Sequence, residues 1–205
     1  MTTIYLARHA SHDRLNRVLC GRMPGVALSP RGRAEAAALA VHFKSSSAVA
    51  VMTSPMERAR QTAAAIAEAL GLAVTVAPEL NEIDLGDWSG SRFDQLASDP
   101  LWRRWNVART QSRPPRGETM GEARARIVGL LERLRDADAG PTILVSHGDI
   151  IKGALLSVLG LPLDAVHLFD IDPASVSAVA LWPGGGKVLH LNTRVAGRDR
   201  EEQGV

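Results

Sequence analysis

The 205-residue chain reads as an α/β protein, a three-layer α/β/α sandwich on a mainly parallel sheet with a small cap-like excursion. Two observations carry this. Short apolar runs, Thr2–Ala7, Ala48–Thr53 and Pro141–Ser146, alternate with amphipathic helical stretches, the pattern of buried parallel strands joined by crossover helices. Each run then leads into a segment that carries a histidine or an arginine: Arg8-His9, Ser54-Pro55-Met56-Glu57-Arg58 and His147-Gly148. The carboxyl ends of strands form the ligand crevice of open α/β sheets. Three strands thus hand two histidines and two arginines to one sheet edge.

The elements follow in order. After the first strand, a loop rich in Arg, Gly and Pro runs from Arg14 to Leu28. Ser29-Pro30 opens a helix, with Ser as N-cap and Pro in the first turn. Ala36, Leu39, Ala40 and Phe43 are its buried stripe, and Ser45-Ser46-Ser47 breaks it before the second strand. Ser54 with Glu57 predicts a capping box for the next helix, whose core face is Ala63, Ile66, Ala67 and Leu70 and whose end is Gly71. Leu72–Val76 is expected as a third strand.

From about 77 to 117 the alternation gives way to short Pro-interrupted pieces bearing Trp88, Trp102 and Trp105, read as a cap or wall over the sheet edge. Thr119 and Glu122 form a second capping box, opening a long helix with Ala123, Ile127, Leu130, Leu131 and Leu134 inward. After the His147 strand a helix is expected from about Asp149 to Leu159, ended by Gly160 and Pro162. Val166–Ile171, Ser175–Leu181 and Lys187–Leu191 are expected as the last strands, the final two forming a hairpin through Pro183-Gly184-Gly185-Gly186. One domain over 1–192 and a mobile tail over 193–205 complete the reading.

Composition narrows the partners. The chain is 45% hydrophobic with a net charge of only +2, and no basic run is long enough to track a nucleic-acid backbone. The single Cys20 forbids an internal disulfide, which suits a reducing compartment, and its neighbours offer no base to activate the thiol. The first strand starts at once, leaving no signal-peptide pattern, and no apolar run approaches a membrane span of about 18 residues. No membrane or nucleic-acid partner and a cytoplasmic location are therefore expected.

The residues suggest phosphoryl chemistry. A cation at Arg58, in the first turn of its helix, sits against the positive end of the dipole, which an anion would offset. Arg60 is as near in sequence, and periodicity does not choose between them. Gly148 lets the backbone approach a ligand closely after His147. Two arginines, free amides and two histidines suit a phosphoryl group. Histidine can be the nucleophile, and the leaving alkoxide then needs a general acid. Glu79, Glu82, Asp84 and Asp87 are all candidates, with Trp88 among the apolar neighbours that would raise a carboxyl pKa.

Arg8-His9-Ala10 resembles the Arg-His-Gly signature of the histidine phosphatase superfamily, which includes cofactor-dependent phosphoglycerate mutases and many phosphatases. The run from Ser54 to Ala63 resembles the family's second arginine motif, Leu80-Asn81-Glu82 with Gly86–Gly90 its donor segment, and Val145–Gly148 its second histidine motif. Gly117-Glu118-Thr119 has a family counterpart as well. The resemblance spans roughly residues 3–182, and the His147–Lys152 run with Gly21–Leu28 resembles a bacterial branch of probable phosphomutases.

The resemblance implies the roles. His9 is the nucleophile and Glu82 the proton donor, while Arg8, Arg58, His147 and Gly148 bind phosphate, with no cofactor and no metal. Asn16 is the counterpart of a phosphate-contacting Asn, in a loop about one residue short. Ser11-His12-Asp13 replaces the usual Glu-Thr start, and Asp149 and Lys152 stand where Gly and Arg are more usual. The expected activity is a phosphomonoesterase on a small phosphorylated metabolite. A phosphomutase is less favoured, because mutases of the family carry longer insertions than the forty or so residues here.

Arg22, fixed between Gly21 and Pro24-Gly25, is the expected substrate contact. With Arg14, Arg17, Arg92, Arg103, Arg104, Arg109, Arg113 and Arg116 it would bias the cleft toward substrates bearing an extra acid. Two rivals remain. His9, His12 and Asp13 with His147 and Asp149 have spacings that suit a divalent ion. A non-catalytic phospho-ligand module on the same fold has only the altered Ser11–Asn16 loop in its favour, since a binder needs neither nucleophile nor acid.

Overall fold

The computed structural model describes residues 1–195. Six strands, β1 (Thr2–Arg8), β2 (Ala50–Thr53), β3 (Val74–Val76), β4 (Thr142–Ser146), β5 (Ser175–Trp182) and β6 (Gly185–Arg194), form one sheet in the order β3-β2-β4-β1-β5-β6. The first four of that order are mutually parallel, and β5 and β6 are antiparallel. β4 is buried along its whole length, as a central strand covered on both faces must be.

The helices are α1 (Pro30–Phe43), α2 (Glu57–Leu70), α3 (Phe93–Leu96), α4 (Pro100–Val107), α5 (Met120–Asp136) and α6 (Gly148–Val158). The alternation of β1 divides them into two layers. Ile4 and Leu6 face a core shared with Ile127 of α5, Leu155 of α6 and Trp105 of α4. Ala7 faces the opposite core, with Leu39 and Phe43 of α1 and Ile66 of α2. Each Leu or Ile so buried contributes roughly 1.5–3 kcal/mol against exposure. The Trp-bearing excursion is committed to the first core: Trp88 and Trp105 are buried, and Trp88 meets Trp102 edge to face at 5.3 Å.

Register positions the site. Arg8 pairs with Ser146 across the β1–β4 ladder, and the His9 amide donates to the Ser146 carbonyl at 2.9 Å, so both histidines leave adjacent strands at one level. α1 starts against the loop after His9. A Cβ on Gly32 would lie 1.9 Å from the Ser11 carbonyl oxygen, so only glycine permits this approach.

Several elements depart from expectation. Ser54 makes no capping box: α2 begins at Glu57 with Met56 as N-cap, and the Ser54 hydroxyl oxygen accepts the Met56 amide at 3.2 Å and meets His147 at 2.7 Å. The third strand is shortened to Val74–Val76 because Leu72 N–H closes α2 on the Ala67 carbonyl, beyond left-handed Gly71. Val166–Ile171 is not a strand. Leu163–His167 forms a 3-10 turn, Lys152 donates to the Val166 carbonyl, and Arg8 donates to that of Ile171. Side chains occupy carbonyls that a ladder would need. The hairpin turns at Pro183-Gly184, and β6 runs on to Arg194, so Thr193 and Arg194 of the expected tail are paired to β5. Of the rest of that tail, residues 196–205 lie outside the described residues. Among the described residues no helix is long and apolar enough to cross a membrane.

Candidate active site

Arg58, 2% exposed, is the hub. Its Nε donates to His9 Nε2 at 3.2 Å, its Nη2 lies 3.2 Å from His147 Nδ1, and the same Nη2 donates to the Gly21 carbonyl at 2.8 Å. The two imidazole centroids are 5.1 Å apart. Thr62, one turn along α2, donates to the Arg58 carbonyl and accepts the Ala10 amide at 3.1 Å, tying the helix to the loop after His9. Arg60, open as an alternative from sequence, is exposed and lines a cleft with Met56 and Gln61 instead.

Hydrogen bonding assigns the tautomers. His9 Nδ1 lies 2.8 Å from the Ala10 carbonyl, which only accepts, so Nδ1 carries the proton and Nε2 the lone pair. His147 Nδ1 faces Arg58, which only donates, so its Nε2–H donates to Ser54 Oγ at 2.7 Å. Burial pushes the pKa of both histidines well down, and the Arg58 charge beside them adds to this, so both are neutral at pH 7.

Glu82 stands across from them, its Oε2 3.8 Å from His147 Nδ1. Burial first, and the nearby Asp149 charge second, raise its pKa to about 7, with Arg58 and Arg8 opposing. A buried carboxyl held near neutrality exchanges protons readily at physiological pH. The other acidic candidates are engaged elsewhere: Glu79 with Arg133, Asp87 with Arg116, and Asp84 with Arg22 at 3.5 Å.

Two arginine nitrogens in this cluster, Arg8 Nε and Arg58 Nη1, are buried with no hydrogen-bond partner. Native structures leave few such groups unpaired, so orphaned cationic donors beside an unprotonated imidazole nitrogen mark a place for an anion. Gly148, first residue of α6, packs beneath Arg8, whose guanidinium carbon would be 3.7 Å from an added Cβ.

The remaining expected residues are placed differently. Asn16 is exposed at φ +57 in a surface turn. Arg22 is turned inward: its Nε donates to the Glu82 carbonyl at 2.8 Å and its Nη2 pairs with Glu118 at 3.0 Å. Arg92, Arg109, Arg113 and Arg116 likewise pair with Asp94, Asp149, Glu122 and Asp87, so most of the expected arginine surface is neutralised within the chain. The rival metal cluster does not assemble, since Asp13 is exposed and Asp149 is paired with Arg109 at 3.1 Å. Burial works against the Asp149 charge, but Arg109 holds its pKa below the usual range.

Sequence reasoning gave Ser54 no place in the site and gave His12 one only in the rival metal cluster. Ser54 looked like a cap, because Ser followed three residues later by Glu is a capping pattern. Its hydroxyl instead orients His147. His12 is buried, 5.5 Å from His9 between ring centroids, with an unpartnered Nδ1 and a pKa lowered to about 4 by burial and then by Arg58 and Arg8. Its signal was the replacement of the usual Glu-Thr by Ser11-His12.

Known proteins carry the same plan. The model of the histidine phosphatase superfamily (branch 1) matches residues 4–194. The probable phosphoglycerate mutase GpmB of Photorhabdus laumondii is 31% identical over 208 residues, covering 94% of this chain and 96% of that protein. Its Escherichia coli O1:K1 counterpart is 32% identical over 198 residues, covering 92% and 91%. Among solved structures, a mycobacterial glucosyl-3-phosphoglycerate phosphatase in complex with VO3 superposes with a TM-score of 0.86 at 26% identity, over 94% of this chain and 100% of the other. Bacillus stearothermophilus YhfR gives 0.87 at 26% identity, over 94% and 98%. With the match running from the first strand to the last, the chain belongs to the histidine phosphatase superfamily.

Proposed function

We propose that this chain is a phosphomonoesterase acting on a small phosphorylated metabolite through a phosphohistidine. The His9 Nε2 lone pair attacks phosphorus as the P–O bond to the leaving group breaks, and Glu82 gives its proton to the departing oxygen. Glu82, now a carboxylate, takes a proton from water, which attacks phosphorus and frees the imidazole and inorganic phosphate. Arg8 and Arg58 hold the phosphoryl oxygens and stabilise the charge that grows on them. The hydroxyl of Ser54 can donate as well as accept, so His147 can switch tautomer and present an N–H at Nδ1 to the arriving anion.

The observation that carries this reading is the pair of orphaned arginine nitrogens, Arg8 Nε and Arg58 Nη1, in the cluster where Arg58 holds the unprotonated His9 Nε2. Water rather than a second metabolite is favoured as final acceptor because the excursion puts its bulk into the core, with Trp88 and Trp105 buried there. Phosphatases of glucosyl-3-phosphoglycerate and, putatively by its own designation, of α-ribazole-5'-P share the fold at TM-scores of 0.86 and 0.85. The mutase reading rests on the designation of the GpmB relatives. The test is quenching during turnover of phosphomonoesters, in alkali to preserve a phosphohistidine and in acid to release it, with inorganic phosphate counted against product alcohol. Equal yields and an acid-labile phosphoenzyme, absent in His9→Ala, are expected. Turnover that survives His9→Ala overturns the mechanism, and phosphate passing to a second metabolite rather than water overturns the hydrolase reading.

A further inference from the structure

Glu118 of the Gly117-Glu118-Thr119 motif touches none of the groups assigned to the reaction, yet it is the centre of the densest ion-pair network in the described chain. Its Oε1 accepts Arg126 Nε at 2.8 Å, and its Oε2 accepts Arg126 Nη2 at 3.0 Å, Arg22 Nη2 at 3.0 Å and the Asp84 amide at 3.3 Å. Its own amide donates to the Asp84 carbonyl at 2.7 Å. Both arginines continue to one further acceptor. Arg22 Nε and Arg126 Nη2 donate to the Glu82 carbonyl at 2.8 and 3.2 Å.

That carbonyl belongs to the Glu82–Ile83 peptide. In a trans peptide the C=O and N–H point to opposite sides of one rigid plane. With the carbonyl gripped by two guanidiniums, the N–H of Ile83 is turned the other way, and it donates to Glu82 Oε1 at 2.9 Å. An oxygen receiving that N–H is best left unprotonated, so the carboxyl proton falls on Oε2, the oxygen nearest His147.

We propose that Glu118, acting through Arg22 and Arg126, is a positioning residue that locks the Glu82–Ile83 peptide and so makes Oε2 the proton-donating oxygen of Glu82. The inference deepens the reading of Glu82 as proton donor and rests on it. It also accounts for Arg22, whose expected role was substrate contact. With the lock in place, the Oε2 proton passes to the leaving oxygen as the N–P bond forms at His9 and the P–O bond breaks. Without it the peptide can rotate, Oε1 loses its donor, and the proton is shared between oxygens of which only one faces the reaction.

The experiment measures kcat/KM for a series of phosphomonoesters from nitrophenyl to alkyl leaving groups, because that constant reports the step in which Glu82 protonates the departing oxygen. Glu82→Gln, Glu118→Gln and Arg22→Ala are compared with the wild type. Glu118→Gln should lose about tenfold or more for alkyl esters and less than about threefold for nitrophenyl esters. Arg22→Ala should steepen the dependence in the same sense, with less effect. Because Arg22 is one-third exposed, it carries the test alone if Glu118→Gln does not fold. A steep dependence in Glu82→Gln together with slopes parallel to wild type in Glu118→Gln and Arg22→Ala overturns the positioning role and leaves the donor reading intact. Equal loss for all esters with a lowered Tm in Glu118→Gln, and no change in Arg22→Ala, also overturns it. A flat dependence in Glu82→Gln removes the donor reading itself, and the positioning role falls with it.

Discussion

The two sides of the proposed reaction centre are held by different physical means. His9, Arg58 and His147 stand at the ends of β1, at the start of α2 and at the end of β4, where ladder and helix hydrogen bonds fix each backbone. Glu82 stands in irregular chain between the 3-10 turns at Pro78–Leu80 and Gly86–Trp88, and side-chain charges do the fixing. Ser146 Oγ, donating to the Leu80 carbonyl at 2.7 Å, is a direct stitch from the sheet to that segment. Regular elements supply position at no cost in extra side chains, whereas a loop needs partners for each peptide it must orient. The nucleophile side should therefore tolerate little change in reactive groups, and the acid side should be adjustable through its supports.

The largest effects should come from the rigid side. His9→Ala should abolish phosphoenzyme formation and turnover, and Arg58→Ala should lower kcat/KM by about 10²–10³ through loss of a charged donor in the transition state. Phosphoenzyme detected in His9→Ala would break the comparison outright, by moving the nucleophile elsewhere. Next in size, Glu82→Gln should cost about 10²–10⁴ for alkyl phosphates. The same group sets a pH limb: the donor must be protonated, so kcat/KM should fall as pH rises through about 7, and Glu82→Gln should lack that limb. Asp149→Asn removes a charge that disfavours ionised Glu82, and should move the limb to lower pH. An unmoved limb would leave burial as the sole cause.

Smaller effects separate the two sides more finely. Ser54→Ala should cost about tenfold, the worth of one hydrogen bond orienting His147, and equally for all leaving groups. A loss that grows with poorer leaving groups would join His147 to proton donation and blur the division. Smallest of all, Thr119→Ala should lower stability by about 1 kcal/mol through loss of the α5 N-cap, read by denaturant unfolding, with wild-type leaving-group dependence. A changed dependence would extend the support network into the helix cap.

The same division explains what the sequence disclosed. Local patterns were legible: the apolar runs of β1, β2 and β4, the Ser29 and Thr119 caps, the left-handed Gly71, and the placing of His9 and His147 just past strand ends. Each depends on neighbours within a turn or a strand. Roles set by distant partners were not. Ser54 has the local look of a cap but bonds to His147, 93 residues away. Arg22 sits in a well-marked turn, yet its partners Glu82 and Glu118 are 60 and 96 residues on. Val166–Ile171 has a strand's composition, but its carbonyls are claimed by Lys152 and Arg8. Periodicity reports which face is apolar and is silent on which distant donor takes a carbonyl.

The strand order has a consequence for how the centre comes into being. β4 lies between β1 and β2, so the strand that joins the His9 loop to the Arg58 helix is the fourth made and is inserted between two made earlier. Long loops must close before those pairings repay their entropy, and contacts of such separation slow folding. A nascent chain ending before Thr142 carries His9, Arg8, Arg58 and Glu82, but no ladder to bring them together. On the proposed function, reactivity is thus withheld until the sheet closes, and the first turnover of a newly made molecule would report that its central strand has been installed.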